Sequence, residues 1–132
     1  MGTWAPRCDA SASPANEYAI FVVTSSGAIE LRNDFGPGYY DMRYRIVDAK
    51  HVGYYRLSLR QLLVTDDNIV LDVVMLKAGN RIRIWSSRGA DGHTYVEDGL
   101  LPSPKGQETG WLARCDGQWT YEGKMHPIKT SQ

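Results

Sequence analysis

Any chemistry here would have to come from the histidines, cysteines, carboxylates and tyrosines. His51, His93 and His126 lie far apart and share no ligand spacing, whereas zinc needs three or four converging groups. No metal site and no cofactor are expected. The serines and carboxylates stand in no nucleophile-elbow or acid-pair context. Carboxylate partners in an all-β chain come from different strands, so a non-enzymatic role is the expectation while catalysis stays open. Cys8 and Cys115 sit near opposite ends of the chain in similar surroundings, Pro-Arg-Cys-Asp and Ala-Arg-Cys-Asp. They read either as a disulfide tying the first segment to the last strand or as two unrelated thiols. A bond would close a loop of about 100 residues, stabilise the fold by about 4.7 kcal/mol, and carry an exported location with it.

The pattern that must position any site runs from Tyr39 to Ser87. Tyr40, Met42, Tyr44 and Ile46 alternate with Asp41, Arg43 and Arg45; Tyr55, Leu57 and Leu59 alternate with Arg56, Ser58 and Arg60. Leu71, Val73 and Met75 flank Asp72, and Ile82 and Ile84 alternate with Arg81 and Arg83. Strand side chains change face every second residue, so this is an antiparallel meander with one buried face. Its turns are read at 48–51, 65–68 and 78–80. The pattern slips at Gln61-Leu62-Leu63, where a β-bulge is expected. Before the meander, Tyr18 to Val23 is nearly all apolar and suits burial on both faces. Ser25-Ser26-Gly27 then makes a tight turn. After Trp85 come a short strand at 93–97, a loop at 98–107, a strand at 109–115 and a hairpin at Asp116-Gly117 leading into a partner strand at 118–121. Roughly eight or nine strands with frequent hairpin turns indicate a barrel, because closure removes exposed sheet edges.

Two faces follow. The inward set is Tyr40, Met42, Tyr44, Tyr55, Leu57, Leu59, Leu71, Val73, Met75, Ile82 and Ile84. It either lines a pocket for a small ligand or simply fills the interior. The outward set carries Arg43, Arg45, Arg56, Arg60, Arg81 and Arg83. It reads as a patch for an anionic partner or as an ordinary polar outside, with Asp41 and Asp72 pairing with neighbouring arginines. Trp111 and Trp119 flank the last turn, as an exposed contact patch or as barrel-closing residues. Fifteen basic residues balance fifteen acidic ones, which argues against a dedicated nucleic-acid partner. No apolar run approaches eighteen residues, so no transmembrane helix is expected. One domain is expected over 1–121, with a mobile tail over 122–132.

Gly2-Thr3-Trp4 resembles the Gly-X-Trp element near the start of lipocalin and avidin barrels, within the calycin group. The resemblance implies that Trp4 closes one barrel end and that Arg114, from a late strand, packs across it. Pro6 and a loop interrupt the passage from Trp4 to the next strand, and no C-terminal helix follows, so lipocalin-like architecture is implied rather than lipocalin membership. Because Cys8 and Cys115 stand beside Trp4 and Arg114, the same placement leads us to expect them bonded to each other. The expected function is non-enzymatic binding of a small apolar or aromatic ligand in the barrel interior. The alternative is a protein-interaction or inhibitor module, with a solid barrel and functional loops at 33–38 and 98–107. A periplasmic or secreted location is expected, following a leader already removed, with a cytoplasmic one left open.

Overall fold

The computed structural model describes residues 2–102, 106–115, 117–119 and 125–127. Its strands in chain order are β1 (Gly2–Ala5), β2 (Tyr18–Val23), β3 (Ile29–Asp34), β4 (Met42–His51), β5 (Arg56–Leu63), β6 (Asp66–Ala78), β7 (Arg81–Gly89), β8 (Thr94–Val96), β9 (Leu100–Leu101), β10 (Gln107–Glu108), β11 (Leu112–Cys115), β12 (Gly117–Trp119) and β13 (Met125–Pro127). There is no helix among the described residues. Consecutive strands from β1 to β8 pair antiparallel, and β11 pairs with both β1 and β7. An eight-stranded barrel therefore closes through β11, with β8 as an extra strand. β8 and β11 share one edge of β7: Leu112 and Ala113 pair near its start, Thr94 and Val96 near its end. The expected all-β, up-and-down closed meander is the architecture found.

The interior follows from the pairing register. Leu57 faces Met75, Leu59 faces Val73, and Met75 faces Ile84 across neighbouring strands. Leu59, Val73, Met75 and Ile82 are buried, with Trp4, Phe21, Ile46, Leu71, Ile84 and Leu112 packed around them. Burying an aliphatic side chain of this size is worth about 1.5–3 kcal/mol each, so this layer anchors the barrel.

Among the described residues, register shifts interrupt the pairing at four places, one of them at Tyr95 of β8, opposite Ser87 and Arg88 and outside the closed barrel. In the barrel, one falls between Leu62 and Leu63, where the alternation slips, with the extra residues 67–69 on β6. The second lies at Val47, between Ile46 and Asp48, and the third at Trp85, opposite Val74 and Met75. The Val47 bulge corrects the expected turn at 48–51. Strand β4 continues to His51, and the turn falls at Val52–Tyr55, where Gly53 takes a φ of 78° that suits glycine. The bulge also shifts parity, so that Ala49 and His51, facing Leu59 and Leu57, take the inward positions.

Two coverings lie on the outside of the wall. The 6–16 segment folds over β1 and β2. There Ala5, Tyr18, Ile20 and Cys115 form a second buried cluster against Cys8, Ala12 and Val22. Both faces of β2 are thus buried, as its unbroken apolar run implies. Asn16 holds this flap. Its Nδ2 donates to the carbonyls of Arg7, Ala10 and Ser11, and its Oδ1 accepts from the Arg7 amide. The Cys8–Cys115 disulfide joins the flap to β11, with Cα atoms 5.3 Å apart across a sequence separation of 107.

The second covering is made by residues 98–102 and 106–111, which meet β7 through Gly99, Thr109 and Trp111. Its β9 and β10 pair with each other. The expected partner strand at 118–121 is corrected: β12 pairs with β13 rather than with β11, because both edges of β11 are taken by β1 and β7. Residues 125–127 of the expected tail therefore pair with 117–119, and the rest of 122–132 lies outside the described residues. The side chain of Trp119 is likewise outside them.

Candidate functional site

The inward rows of β4, β5, β6, β7 and β11 converge at one end of the barrel, beside Gly2 and the β4–β5 turn. There they leave a cavity of about 330 Å³. Trp4, Phe21, Ile29, Ile46, Leu57, Leu59, Met75 and Ile82 form its walls and floor. Leu59, Met75 and Ile82 belong to the buried layer, so the floor is solid. Around the mouth stand His51, Tyr54, Tyr55, Lys77 and Arg114, with Arg56 bordering it from an outward strand position. Tyr54 is 95% exposed, and its ring lies 6.3 Å from that of Tyr55. Arg114 is the cross-strand partner of Trp4, with its guanidinium carbon 5.9 Å from the indole centroid. The Arg56 guanidinium carbon lies 5.5 Å from the Trp85 ring.

Five of the expected ligand-facing residues line this cavity: Tyr55, Leu57, Leu59, Met75 and Ile82. Leu71, Val73 and Ile84 face inward but are spent on the packed layer beneath and beside it. Met42 and Tyr44 occupy inward register positions toward the other end, opposite Asn33 and Leu31. Tyr40 is corrected: it precedes β4, is 96% exposed and lines nothing inside. The breaker-rich stretch before it keeps the chain in a loop until Met42, so the alternation extends one pair beyond the strand. No known protein family, curated protein or solved structure matches the chain. The site is therefore interpreted from its own geometry.

Sequence reasoning missed Phe21, Ile29, Ile46, Ala49, His51, Tyr54 and Lys77 as lining residues. For Phe21 and Ile46 the signal was present, in the apolar run of β2 and in the alternation of β4. For Ala49 and His51 it was hidden by the Val47 bulge.

The outward arginines do not form one patch. Arg43 and Arg32 both reach the buried carboxylate of Glu30, at 2.9 and 3.3 Å. Burial pushes Glu30 up, but the hydrogen bonds and charges of Arg43 and Arg32 outweigh it and hold the group below its ordinary value. Arg60 pairs with Asp72 at 2.9 Å, as the polar-outside reading has it. Arg45 borders a surface depression with Thr65 and Asp66.

Arg83 is corrected from exposed to buried: it keeps its outward strand position but is only 7% exposed. Its Nη2 donates to the Gly99 carbonyl at 2.8 Å and its Nε to Thr109 Oγ1 at 3.1 Å. Its guanidinium lies between the rings of Trp85 and Trp111, at 5.6 and 5.5 Å. The second covering is thus pinned to β7 through Arg83, and Trp111 serves that contact. Gly99 fits there because a side chain on it would collide with the guanidinium.

At the other end of the barrel the interior turns polar. Asn33 Nδ2 donates to Glu17 Oε1 at 3.1 Å, and Gln61 is buried. Burial pushes the Glu17 carboxyl above its ordinary value, and the Asn33 hydrogen bond only partly opposes this. Burial also raises Tyr44, with the nearby charges of Glu17 and Tyr95 adding to it. Among the described residues no group of three or more histidine, cysteine or acidic side chains is placed to hold a metal. No helix there is long and apolar enough to cross a membrane.

Proposed function

We propose that this is an exported binding protein that holds a small apolar or aromatic ligand in the barrel cavity and performs no chemistry on it. The observation that carries the reading is the cavity itself. Its volume of about 330 Å³ falls at the lower end of ligand pockets, and its walls are carbon-rich with polar groups only at the mouth. In a barrel of eight strands, side chains can fill the interior completely. Here the packed layer stops at Leu59, Met75 and Ile82 and leaves space above it. Such an apolar void forgoes dispersion contacts that a ligand would restore. The Cys8–Cys115 bond is consistent with an oxidising compartment and supports the exported part of the reading.

The competing interaction-module reading requires a solid barrel and available loops. Within the candidate loop 98–107, Gly99 is tied to Arg83, which weighs against it.

The test is titration with the uncharged fluorescent probe N-phenyl-1-naphthylamine. Saturable binding near one site per chain is expected. Ala49→Trp fills the cavity from β4 and should abolish binding while leaving the melting temperature within a few degrees. Absence of saturable binding to the parent, or equal binding by a folded Ala49→Trp variant, overturns the proposal.

A further inference from the structure

At the open end of the barrel the wall is uneven. Strands β3 and β4 pair only as far as Ile46, opposite Ile29, whereas β4 and β5 stay paired on to His51 and Leu57. From Val47 to His51 the chain thus runs on for about 16 Å of strand with β5 as its neighbour and β3 left behind. The tip of this projecting hairpin is Val52-Gly53-Tyr54-Tyr55. Val52, Tyr54 and Tyr55 are all exposed, Tyr54 almost completely. Tyr54 and Tyr55 also line the cavity, so apolar surface continues from inside the barrel onto the tip. Val23, exposed at the same end, extends the inward row of β2 beyond Phe21. Apolar side chains scattered singly over a surface need no explanation. Here they gather on one projecting turn beside the opening of an apolar cavity.

Charge follows the same axis. The turns at this end, 24–28, 52–55 and 79–80, hold no aspartate or glutamate. At the other end stand Asp41 before β4, Asp66 at the start of β6 and Asp91 before β8. Behind the tip are Lys50 and Lys77, both exposed, and the Lys77 amide donates to the Tyr55 carbonyl at 2.7 Å. Neither lysine is in an ion pair among the described residues.

We propose that this end of the barrel docks on an anionic lipid bilayer, with Val52, Tyr54 and Tyr55 seated in the interfacial layer and Lys50 and Lys77 against the headgroups. A tyrosine joins an apolar ring to a polar hydroxyl, the combination that the membrane–water boundary favours. Seating the tip removes apolar surface from water, and lysines beside an anionic surface add attraction that the acidic opposite end lacks. The cavity then opens among the seated side chains, so an apolar ligand passes between acyl chains and barrel without crossing water. That passage rests on the cavity being a ligand site; the docking does not.

The experiment is co-sedimentation of the oxidised protein with phosphatidylcholine vesicles containing about 30% phosphatidylglycerol. The parent should sediment with the vesicles. Val52→Ser/Tyr54→Ser, checked for an unchanged melting temperature, should lower the partition coefficient at least about tenfold, because binding scales with the apolar area seated. Tyr39→Ser/Tyr40→Ser removes two exposed tyrosines from the opposite end and should leave partitioning unchanged. Lys50→Gln/Lys77→Gln should erase the preference over pure phosphatidylcholine, and about 0.5 M sodium chloride should shrink it. Failure of the parent to sediment, or equal sedimentation of the Val52→Ser/Tyr54→Ser variant, overturns the docking. A dimer found in place of vesicle binding, and abolished by that variant, overturns it too and gives the tip to a second copy of the chain. The dye titration, done without lipid, tests the cavity separately, so a negative vesicle result leaves that reading standing.

Discussion

Reducing the Cys8–Cys115 bond should destabilise the protein mainly through its unfolded chain. The bond spans 107 residues of a 132-residue chain. In the chain-entropy treatment a loop of that length removes about 16 cal/mol/K from the denatured ensemble, or about 4.8 kcal/mol at 25 °C. The folded side should change little. Asn16 still holds the flap through four hydrogen bonds, and Ala5, Tyr18 and Ile20 stay packed. With an unfolding entropy of about 2.1 cal/mol/K per residue, the loss corresponds to a fall in melting temperature of about 17 °C. Calorimetry of oxidised and reduced protein at neutral pH measures it, and urea titration should show a larger m-value for the reduced form, whose unfolded chain is more expanded. Cys8→Ala should match the reduced protein, and adding Cys115→Ala should cost little more, since the two residues act as one unit. A fall of less than about 5 °C would refute the reasoning. So would a double variant far less stable than the single one, which would locate the stabilisation in folded contacts of the sulfurs.

Glu17 gives a pH prediction. Its carboxyl is raised in the folded state, so below the ordinary value of 4.5 both states hold the proton and nothing is lost. As pH climbs past 4.5 the unfolded chain ionises first, and stability declines until the folded group ionises too. Glu17→Gln keeps an acceptor for Asn33 and should be more stable than the parent at pH 7.5 and equal to it near pH 4; thermal unfolding across that range checks the sign. Arg83→Ala should remove two charge-assisted hydrogen bonds and two indole contacts, costing about 2–4 kcal/mol. Hydrogen exchange should then accelerate at the Gly99 and Thr109 amides while those of β5 and β6 stay protected.

The barrel was legible because its long strands alternate cleanly. Leu57 and Leu59, Val73 and Met75, and Ile82 and Ile84 have the period of two that a half-buried strand imposes, and the slip at Leu62 and Leu63 marked its bulge. The Val47 bulge left no such mark, because Ile46 and Val47 are both apolar and either suits the inward face. Everything beyond it changed sides, and with it Ala49 and His51. Arg83 looked like Arg81 and Arg56 in the alternation. Its burial depends on Gly99 and Thr109 folding back over β7, a contact that local sequence does not encode. The cavity depends on how side-chain volumes sum around a closed ring, which no single strand pattern contains.

The disulfide also makes the chain a covalent ring from residue 8 to residue 115, and the turns of the barrel, at 24–28, 35–41, 52–55, 64–65 and 79–80, all lie inside that ring. A peptidase that cuts one of these turns opens the ring without dividing the molecule. Both new ends remain tethered, and the strands on either side of the cut keep their partners. Nicked protein should migrate as one species without reductant and as two with it. A fragment is released only by a second cut within the ring, by a cut outside it, or by reduction, so the barrel survives a first proteolytic event in surroundings where peptidases are present and thiols are oxidised.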